Sequence, residues 1–196
     1  MTAAGQGCCR VAGLMLAAGF SRRFGSDKRR ARLAGGQTLL AASLALPFSE
    51  LPEVWVVLRP EDDPRELSVP RGVRVLHSAH AAHGMGHSLA DGVRSLAPHS
   101  EAEVLAIFLG DMPWIGADSL RCLLAQAAPD AIVVPTFAGQ PGHPVLFGRS
   151  FWPELQLLRG DNGAREVIRA NPQAVRRVAV SDPAILRDVD TPQCIE

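Results

Sequence analysis

The chain has no excess of either charge, no long apolar run and no cysteine spacing of the metal-binding type. Its 196 residues include 20 basic and 20 acidic side chains, so the formal net charge is zero. Proteins that neutralise the phosphates of a nucleic acid need a basic face, and this balance argues against nucleic-acid binding as the main activity. No segment approaches the ~20 apolar residues of a membrane span, so we expect no membrane partner.

The four cysteines predict neither a disulfide framework nor a zinc site. None of them forms a C-x-x-C pair, and the neighbours Cys8 and Cys9 seldom bridge each other. This usage fits a reducing compartment, so we expect a cytoplasmic location. The length suits one domain over residues 1–196, in which we expect residues 1–9 to be a flexible tail.

Both standard phosphate-binding motifs, the Walker A loop and G-x-G-x-x-G, are missing from the sequence. The first apolar run, over 11–18, nevertheless ends in a loop over 19–28 that carries two glycines, two serines, two arginines and a lysine. A strand that ends in such a loop offers backbone N–H groups and cations to one small volume. We interpret the loop as a site for the oxyanions of a nucleoside triphosphate. The alternative is that its cations are solvated loop charges.

Short apolar runs alternate with helical patterns along the whole chain, which predicts an α/β fold. The predicted strands are 11–18, 53–58, 73–77, 104–109, 131–135, 145–147 (a returning strand) and 175–180, and the predicted helices are 39–46 (ending at Pro47), 88–96, 118–127, 151–158 and 163–170. This alternation is typical of a mainly parallel sheet with helices on both faces. Such sheets bind ligands at the carboxyl ends of their strands.

Two separate carboxylates are candidate metal ligands at that edge. Asp111 follows the apolar run 104–109, and Asp190 lies in the segment Asp188-Val189-Asp190-Thr191-Pro192. Like charges ~4 Å apart repel by about 4 kcal/mol at an effective dielectric constant near 20, and a divalent cation between them reverses that sign. The alternative is that each carboxylate caps a turn or helix before a proline.

Histidines recur at every third residue over 77–83, which is reminiscent of a metal site. The glycines that follow break any helix that would present them together, and no carboxylate is interleaved to fix their tautomers. We therefore expect a turn over 84–86 that leads into a helix capped near 87–88.

Two later segments are candidates for contacts with a second substrate. His143, at the tip of a Gly-Gln-Pro-Gly-His-Pro turn, can donate a hydrogen bond to an oxyanion. Asp161 and Arg165 lie where a loop meets the start of a helix. The alternatives are an exposed hairpin histidine and, for Asp161, a simple helix N-cap.

Taken in order, these segments resemble the molybdenum cofactor nucleotidyltransferase family, within the MobA-like NTP transferase superfamily. The resemblance covers residues 11–192. The Leu-Ala-Ala-Gly segment and the later Gly-His-Pro and Gly-Asp-x-Gly-Ala-Arg segments are similar to the cytidylyltransferase branch, since the guanylyltransferase branch usually carries Leu-Ala-Gly-Gly. The matching segments are Leu16-Ala17-Ala18-Gly19 with Ser21, Arg23, Gly25 and Lys28; Gly84-Met85-Gly86-His87-Ser88-Leu89; Gly110-Asp111-Met112-Pro113; Gly142-His143-Pro144-Val145-Leu146-Phe147; Gly160-Asp161-Asn162-Gly163-Ala164-Arg165; and Asp188-Val189-Asp190-Thr191-Pro192.

The resemblance implies a Rossmann-like nucleotidyltransferase domain that requires Mg²⁺. The implied reaction joins CTP to molybdenum-bound molybdopterin, giving the cytosine dinucleotide cofactor and pyrophosphate. A molybdenum hydroxylase or its maturation chaperone would then be the downstream partner. Guanylyl transfer, nucleotidyl transfer to another phosphate acceptor, and a non-catalytic carrier of the cofactor are the alternatives.

The resemblance also implies roles for individual residues. His87, where the family commonly has a small residue, and the basic run 29–32 depart from the family pattern. The implied roles are catalysis for Arg23, Lys28 and Asp111; nucleotide binding for Leu16, Ala17, Ala18, Gly19, Ser21, Gly25, Gly84 and Ser88; metal binding for Asp111 and Asp190; and acceptor binding for His143, Asp161 and Arg165.

Overall fold

A computed structural model gives the fold and describes residues 9–21 and 24–195. One sheet and the helices on it make up the described part. The strands are β1 (Val11–Leu16), β2 (Glu53–Leu58), β3 (Arg74–His77), β4 (Val104–Leu109), β5 (Ile132–Phe137), β6 (Gln140–Pro141), β7 (Val145–Gly148) and β8 (Val175–Ala179), and the helices are α1 (Leu39–Glu50), α2 (Met85–Leu96), α3 (Ala117–Leu124), α4 (Trp152–Leu155) and α5 (Arg165–Ala170).

The sheet has the order β3-β2-β1-β4-β7-β5-β6, and β8 also pairs with β5. Strands β1 to β4 run parallel to one another, and β5 and β8 are parallel to each other. Strand β7 lies antiparallel between β4 and β5, and the short β6 is antiparallel to β5. The predicted mainly parallel sheet and the returning strand are thereby confirmed.

Helices cover both faces of the sheet because consecutive strand residues point to opposite sides. On β1, Leu14 packs into a core that includes residues of α2, α4 and α5. Met15, the next residue, packs into a second core that includes residues of α1 and α3. Burying one such side chain stabilises the fold by roughly 1.5–3 kcal/mol, so the alternation fixes which face each helix covers.

The helix boundaries differ from the sequence prediction: α3, α4 and α5 are shorter than predicted, and the differences at α1 and α2 have a physical explanation. Helix α1 runs through Pro47 to Glu50 instead of ending at the proline. Pro47 is itself buried on the same face as Leu40 and Leu44, and this packing offsets the hydrogen bond that a proline cannot donate. Helix α2 begins at Met85, with Gly84 as its N-cap, so the predicted turn over 84–86 and the cap near 87–88 are wrong. Gly86 lies within α2, where the absence of a side chain allows the backbone of residues 159–160 to approach closely.

The carboxyl ends of the two central strands lie side by side and hold the chain segments that follow them. Leu16 pairs with Leu109 at the ends of β1 and β4. The N–H of Val189 donates to the carbonyl of Asp111 over 2.9 Å, which attaches the C-terminal segment to the same edge. No helix in the described part of the chain is long and apolar enough to cross a membrane.

Candidate functional site

A cavity of about 940 Å³ opens at this edge of the sheet. It brings together almost all of the site residues predicted from the sequence that fall in the described part of the chain. Those that line it are Leu16, Ala17, Ala18, Gly19, Ser21, Lys28, Gly84, Ser88, Asp111, His143, Asp161, Arg165 and Asp190.

Two of the predicted site residues are not among those lining residues. Gly25 has a φ of +77°, which suits a glycine at a turn, and it does not line the cavity. Arg23 lies outside the described residues, so its predicted catalytic role stays a prediction.

The loop after β1 turns its carbonyl groups toward two arginines. Arg29 donates to the carbonyl of Ala17 over 2.8 Å, and Arg59 donates to the carbonyls of Ala18 and Gly19. Within the described part of the chain, the backbone N–H groups of Ala18 and Gly19 have no hydrogen-bond acceptor. Ala18 is buried and buried N–H groups are normally paired, so its N–H is suited to donate to a bound oxyanion. Gly19 is exposed, and its N–H can donate to the same ligand.

Arg29 has a structural role that the basic run 29–32 does not reveal. Its side chain is only 3% exposed and forms ion pairs with Asp27 and Asp62 at 2.6 and 2.5 Å. Burial works against its charge, but the hydrogen bonds with both carboxylates outweigh that effect and raise the pKa of Arg29. Arg29 is therefore held in place by two carboxylates, and its hydrogen bond to Ala17 fixes the start of the loop after β1.

Lys28 and Asp111 form an ion pair at one end of the cavity. Lys28 Nζ donates to Asp111 Oδ2 over 2.5 Å and to the carbonyl of Val189 over 3.0 Å. The two side chains are 18% and 19% exposed, so the pair is partly shielded from water. The carboxylate of Asp111 is thus engaged by a cation from the first loop, which is not what the alternative of a simple cap before a proline predicts.

Further carboxylates stand beside this pair. Burial raises the pKa of Asp188, and the negative charges of Asp190 and Asp111 raise it further. The charges of Asp111 and Asp190 therefore both reach Asp188, although 77 positions separate Asp111 from Asp188 in the sequence. Asp188 lines the cavity together with the other two, and the sequence analysis named only Asp111 and Asp190 as metal ligands.

The carboxylates of this cavity are compatible with Mg²⁺, the metal that the resemblance implies. Among residues 9–21 and 24–195, no group of three His, Cys, Asp or Glu side chains could by itself hold a metal ion. Mg²⁺ is usually bound by one or two carboxylates together with phosphate oxygens and water, not by an all-protein cage. Asp111 and Asp190 both line the cavity with Asp188, on which their charges act, and a cation there would offset this crowding of negative charge.

His143 lines the cavity, and its pKa is lowered. Burial is the main cause and the positive charge of Arg165 adds to it, whereas Asp111 and a backbone hydrogen bond at Ile107 oppose it. The ring is therefore neutral near pH 7 and has one N–H donor instead of two. The sequence predicts that His143 donates a hydrogen bond to an oxyanion. Nδ1 can be that donor only in the tautomer that carries the proton on Nδ1.

Two buried side-chain atoms in the described part of the chain have no hydrogen-bond partner, and both belong to cavity residues. They are Ser21 Oγ and His143 Nδ1. An unpaired buried polar atom costs about 1–3 kcal/mol, so such atoms are rare unless a ligand or water satisfies them. Both atoms line one cavity, so a ligand with several polar groups could satisfy them.

The segments Gly84–Ser88 and Gly160–Arg165 touch each other at the cavity wall. A Cβ added at Gly84 would lie 2.2 Å from Asp161 Oδ1 and 2.6 Å from the carbonyl oxygen of Gly160. Helix α5 has Ala164 as its N-cap and no side-chain cap, so the alternative of Asp161 as a helix N-cap is not what the structure contains. Asp161 lies against Gly84 instead.

The histidine run forms a cluster beside this contact. The ring centroids of His80, His83 and His87 lie 5.5 to 6.3 Å apart. His80 contacts the carboxylate of Asp91, with 3.1 Å between Nδ1 and Oδ2. No carboxylate is interleaved among the histidines in the sequence, since Asp91 follows His80 by eleven residues and reaches it from within α2.

Comparisons with known proteins identify the family of the chain. The family model of the MobA-like NTP transferase domain matches residues 13–177. The chain is 33% identical over 193 residues to the purine catabolism protein PucB of Bacillus subtilis (strain 168), and the match covers 92% of each chain.

Solved structures of the same fold are similar over nearly the whole chain. A homologue of Mycobacterium tuberculosis Rv0371c from Mycobacterium sp. strain JC1 is 32% identical, with a TM-score of 0.80, covering 94% of this chain and 92% of that one. Rv0371c from M. tuberculosis H37Rv in complex with manganese is 25% identical, with a TM-score of 0.78, covering 94% and 95%. The family match, the curated relative and the shared fold lead to one conclusion: this chain belongs to the MobA-like NTP transferase family, in the nucleotidyltransferase superfamily.

Proposed function

We propose that this protein transfers CMP from CTP to the phosphate of molybdenum-bound molybdopterin and releases pyrophosphate. The observation that carries the proposal is the meeting of Lys28, Asp111 and the segment Asp188–Asp190 in one cavity, which His143 and Arg165 also line. Such a cavity can hold a metal-bound triphosphate and a second anion together. The Leu-Ala-Ala-Gly and Gly-His-Pro segments support CTP over GTP through the family resemblance.

The chemistry is an in-line displacement at the α-phosphorus of CTP. An oxygen of the acceptor phosphate forms a new bond to that phosphorus while the bond to the bridging oxygen of pyrophosphate breaks. An acceptor phosphate is already ionised near pH 7, so the site needs no general base. This agrees with a cavity in which the described residues supply charge and positioning.

The main obstacle is repulsion between two anionic reactants, and the residues of the cavity reduce it. Lys28 can exchange its contact with Asp111 for a phosphate oxygen, since its ammonium group is compact and flexible. The N–H groups of Ala18 and Gly19 can donate to the same phosphates. Arg165 lies on the acceptor side, where a guanidinium can bind a phosphate in bidentate fashion.

Asp111 and Asp190 would hold Mg²⁺, with Asp188 beside them. When bound, the cation supplies positive charge that neutralises the triphosphate and the departing pyrophosphate. The manganese complex of Rv0371c supports a divalent metal in this fold, and the choice of Mg²⁺ for the present chain belongs to the proposal. The downstream recipient would be a molybdenum hydroxylase or its maturation chaperone, with which a relative named for purine catabolism is compatible.

The test is pyrophosphate release with CTP, GTP, ATP and UTP side by side, each with Mg²⁺ and the molybdopterin acceptor. The proposal predicts fast release with CTP and slow release with the other three. Preference for GTP would show guanylyl transfer instead. Tight binding of the finished cofactor without pyrophosphate release from any nucleotide would show a carrier.

A further inference from the structure

His87 connects two parts of the cavity wall that are far apart in the sequence. The backbone N–H of Gly160 donates to His87 Nδ1 over 3.0 Å. The backbone N–H of Gly86 donates to the carbonyl of Gly160 over 2.7 Å. Both backbone polar groups of Gly160 are thus held by consecutive residues in the first turn of α2.

The glycines beside His87 show how closely the two segments approach. A Cβ added at Gly86 would lie 2.7 Å from the carbonyl oxygen of Arg159, and one added at Gly84 would collide with Gly160 and Asp161. Distances this short leave no room for a side chain at either Gly84 or Gly86 without a shift of the backbone. The glycines therefore permit the contact, and the imidazole of His87 adds a directed hydrogen bond that fixes where Gly160 lies.

The two segments are anchored to different degrees. Helix α2 runs for 12 residues and buries Leu89, Ala90 and Val93 in the core of the sheet. The segment 159–164 has no helix or strand of its own and leads directly into α5, whose first residue is Arg165. If the bond at His87 is lost, the segment 159–164 should shift while α2 stays in place.

We propose that His87 is a positioning residue that sets the place of Asp161 and Arg165 relative to the nucleotide-binding segment Gly84–Ser88. The part of this inference that concerns the acceptor rests on the proposed function. In-line transfer needs the two anions aligned, and a misplacement of about 1 Å can lower the rate on the order of 100-fold. His87 would therefore act on acceptor use and not on CTP binding.

The proton position on His87 decides whether the bond exists. Nδ1 can accept from Gly160 only when it carries no proton, and an Nδ1–H would instead donate to the carbonyl of His83, 3.0 Å away. An asparagine at this position places an amide oxygen where Nδ1 lies. His87→Asn should therefore keep the bond to Gly160, and His87→Ala should lose it.

Amide hydrogen exchange tests the bond without any substrate. In His87→Ala, the peptide that contains residues 157–165 should exchange about tenfold faster than in the wild type, since one hydrogen bond is lost. His87→Asn and His83→Ala should exchange as the wild type does. His83→Ala is the matched control because His83 belongs to the same ring cluster but engages His87 through its backbone carbonyl.

Kinetics test the consequence for the acceptor. His87→Ala should lower kcat/KM for the molybdopterin acceptor about tenfold or more, with the KM for CTP within about twofold of the wild type. His87→Asn should recover most of this loss, and His83→Ala should show none. Should His87→Ala fail to fold, His87→Ser, whose hydroxyl is too short to reach Gly160, takes its place.

The outcomes separate this inference from the proposed function. Unchanged exchange in His87→Ala overturns the inference, as do equal losses toward CTP and acceptor or a failure of His87→Asn to recover. If the wild type transfers no nucleotide to the acceptor, the proposed function fails, and the exchange experiment alone decides whether His87 fixes the segment 159–164.

Discussion

Replacing Asp111 by asparagine removes one negative charge from the carboxylate cluster and keeps the shape of the side chain. Asp111 Oδ2 accepts the 2.5 Å hydrogen bond from Lys28, and both side chains are less than one-fifth exposed. The substitution also removes one of the charges that raise the pKa of Asp188. We expect a small effect on stability and a large effect on turnover.

The effect on the free energy of unfolding should be small, because the loss of the hydrogen bond from Lys28 is offset by weaker repulsion among the carboxylates. One hydrogen bond between charged groups contributes about 1.5–3 kcal/mol. Lys28 keeps its bond to the carbonyl of Val189, and the repulsion among the carboxylates is reduced. For a domain of this size, 1 kcal/mol shifts Tm by about 2–4 °C, so Tm should fall by less than about 12 °C.

The effect on turnover should be large because the site acts through charge. Removing one group that stabilises charge in a transition state typically costs on the order of 10²–10³ in kcat, or roughly 3–4 kcal/mol. The assay is pyrophosphate release from CTP with Mg²⁺ and the acceptor. Asp118→Asn is the control, since that carboxylate is 98% exposed and lies outside the cavity. A folded Asp111→Asn protein with turnover within about tenfold of the wild type would refute the role given to Asp111.

Three further substitutions test other parts of the account. Lys28→Ala should lower kcat by about 10²–10³ while the protein stays folded, and near-normal turnover would contradict its role in neutralising the phosphates. Asp188→Asn should raise the Tm of the metal-free protein at pH 7: a carboxyl whose folded pKa is raised contributes stability below its unfolded pKa and loses it as pH rises through the folded pKa, and asparagine has no such loss. That gain should vanish toward pH 4, close to the ordinary pKa of about 3.9, and a lower Tm at pH 7 would contradict the argument. Arg29→Met should destabilise the fold measurably because it leaves two partly buried carboxylates without their buried cation, and Arg32→Met on the surface should cost far less in the same denaturant titration.

The sheet and its functional edge could be predicted because their evidence is local in the sequence. Each strand is a short apolar run, and the polar residues that follow it, such as Gly110 and Asp111, fall at the carboxyl edge once the strands are parallel. The continuation of α1 through Pro47 could not be predicted, since it depends on packing against strands elsewhere in the chain.

Sequence motifs predicted which residues line the cavity, but not the interactions that these residues make with distant parts of the chain. The acidic segment over 188–190 was recognised, but the raised pKa of Asp188 results from burial and from Asp111, which is distant in sequence. Arg29 belongs to a run that looks like surface charge, and its partner Asp62 lies 33 residues away. His143 shows the same limit, because the burial that lowers its pKa has no local pattern in the sequence.

His87 illustrates what a departure from a pattern can indicate. The sequence analysis noted it only as a large residue where a small one is common. Its partner Gly160 lies 73 residues away, so no spacing rule could connect them. The one local signal was that Gly84 and Gly86 precede the histidine, which permits the tight approach of another backbone.

The most direct test of the central claim is a crystal structure with CTP and Mn²⁺, in which the anomalous signal of manganese locates the metal. The account predicts the metal within about 2.5 Å of oxygens of Asp111 and Asp190, with triphosphate oxygens completing its coordination and Lys28 turned toward a phosphate. Phosphates bound away from the loop after β1, or a metal that touches neither carboxylate, would contradict it.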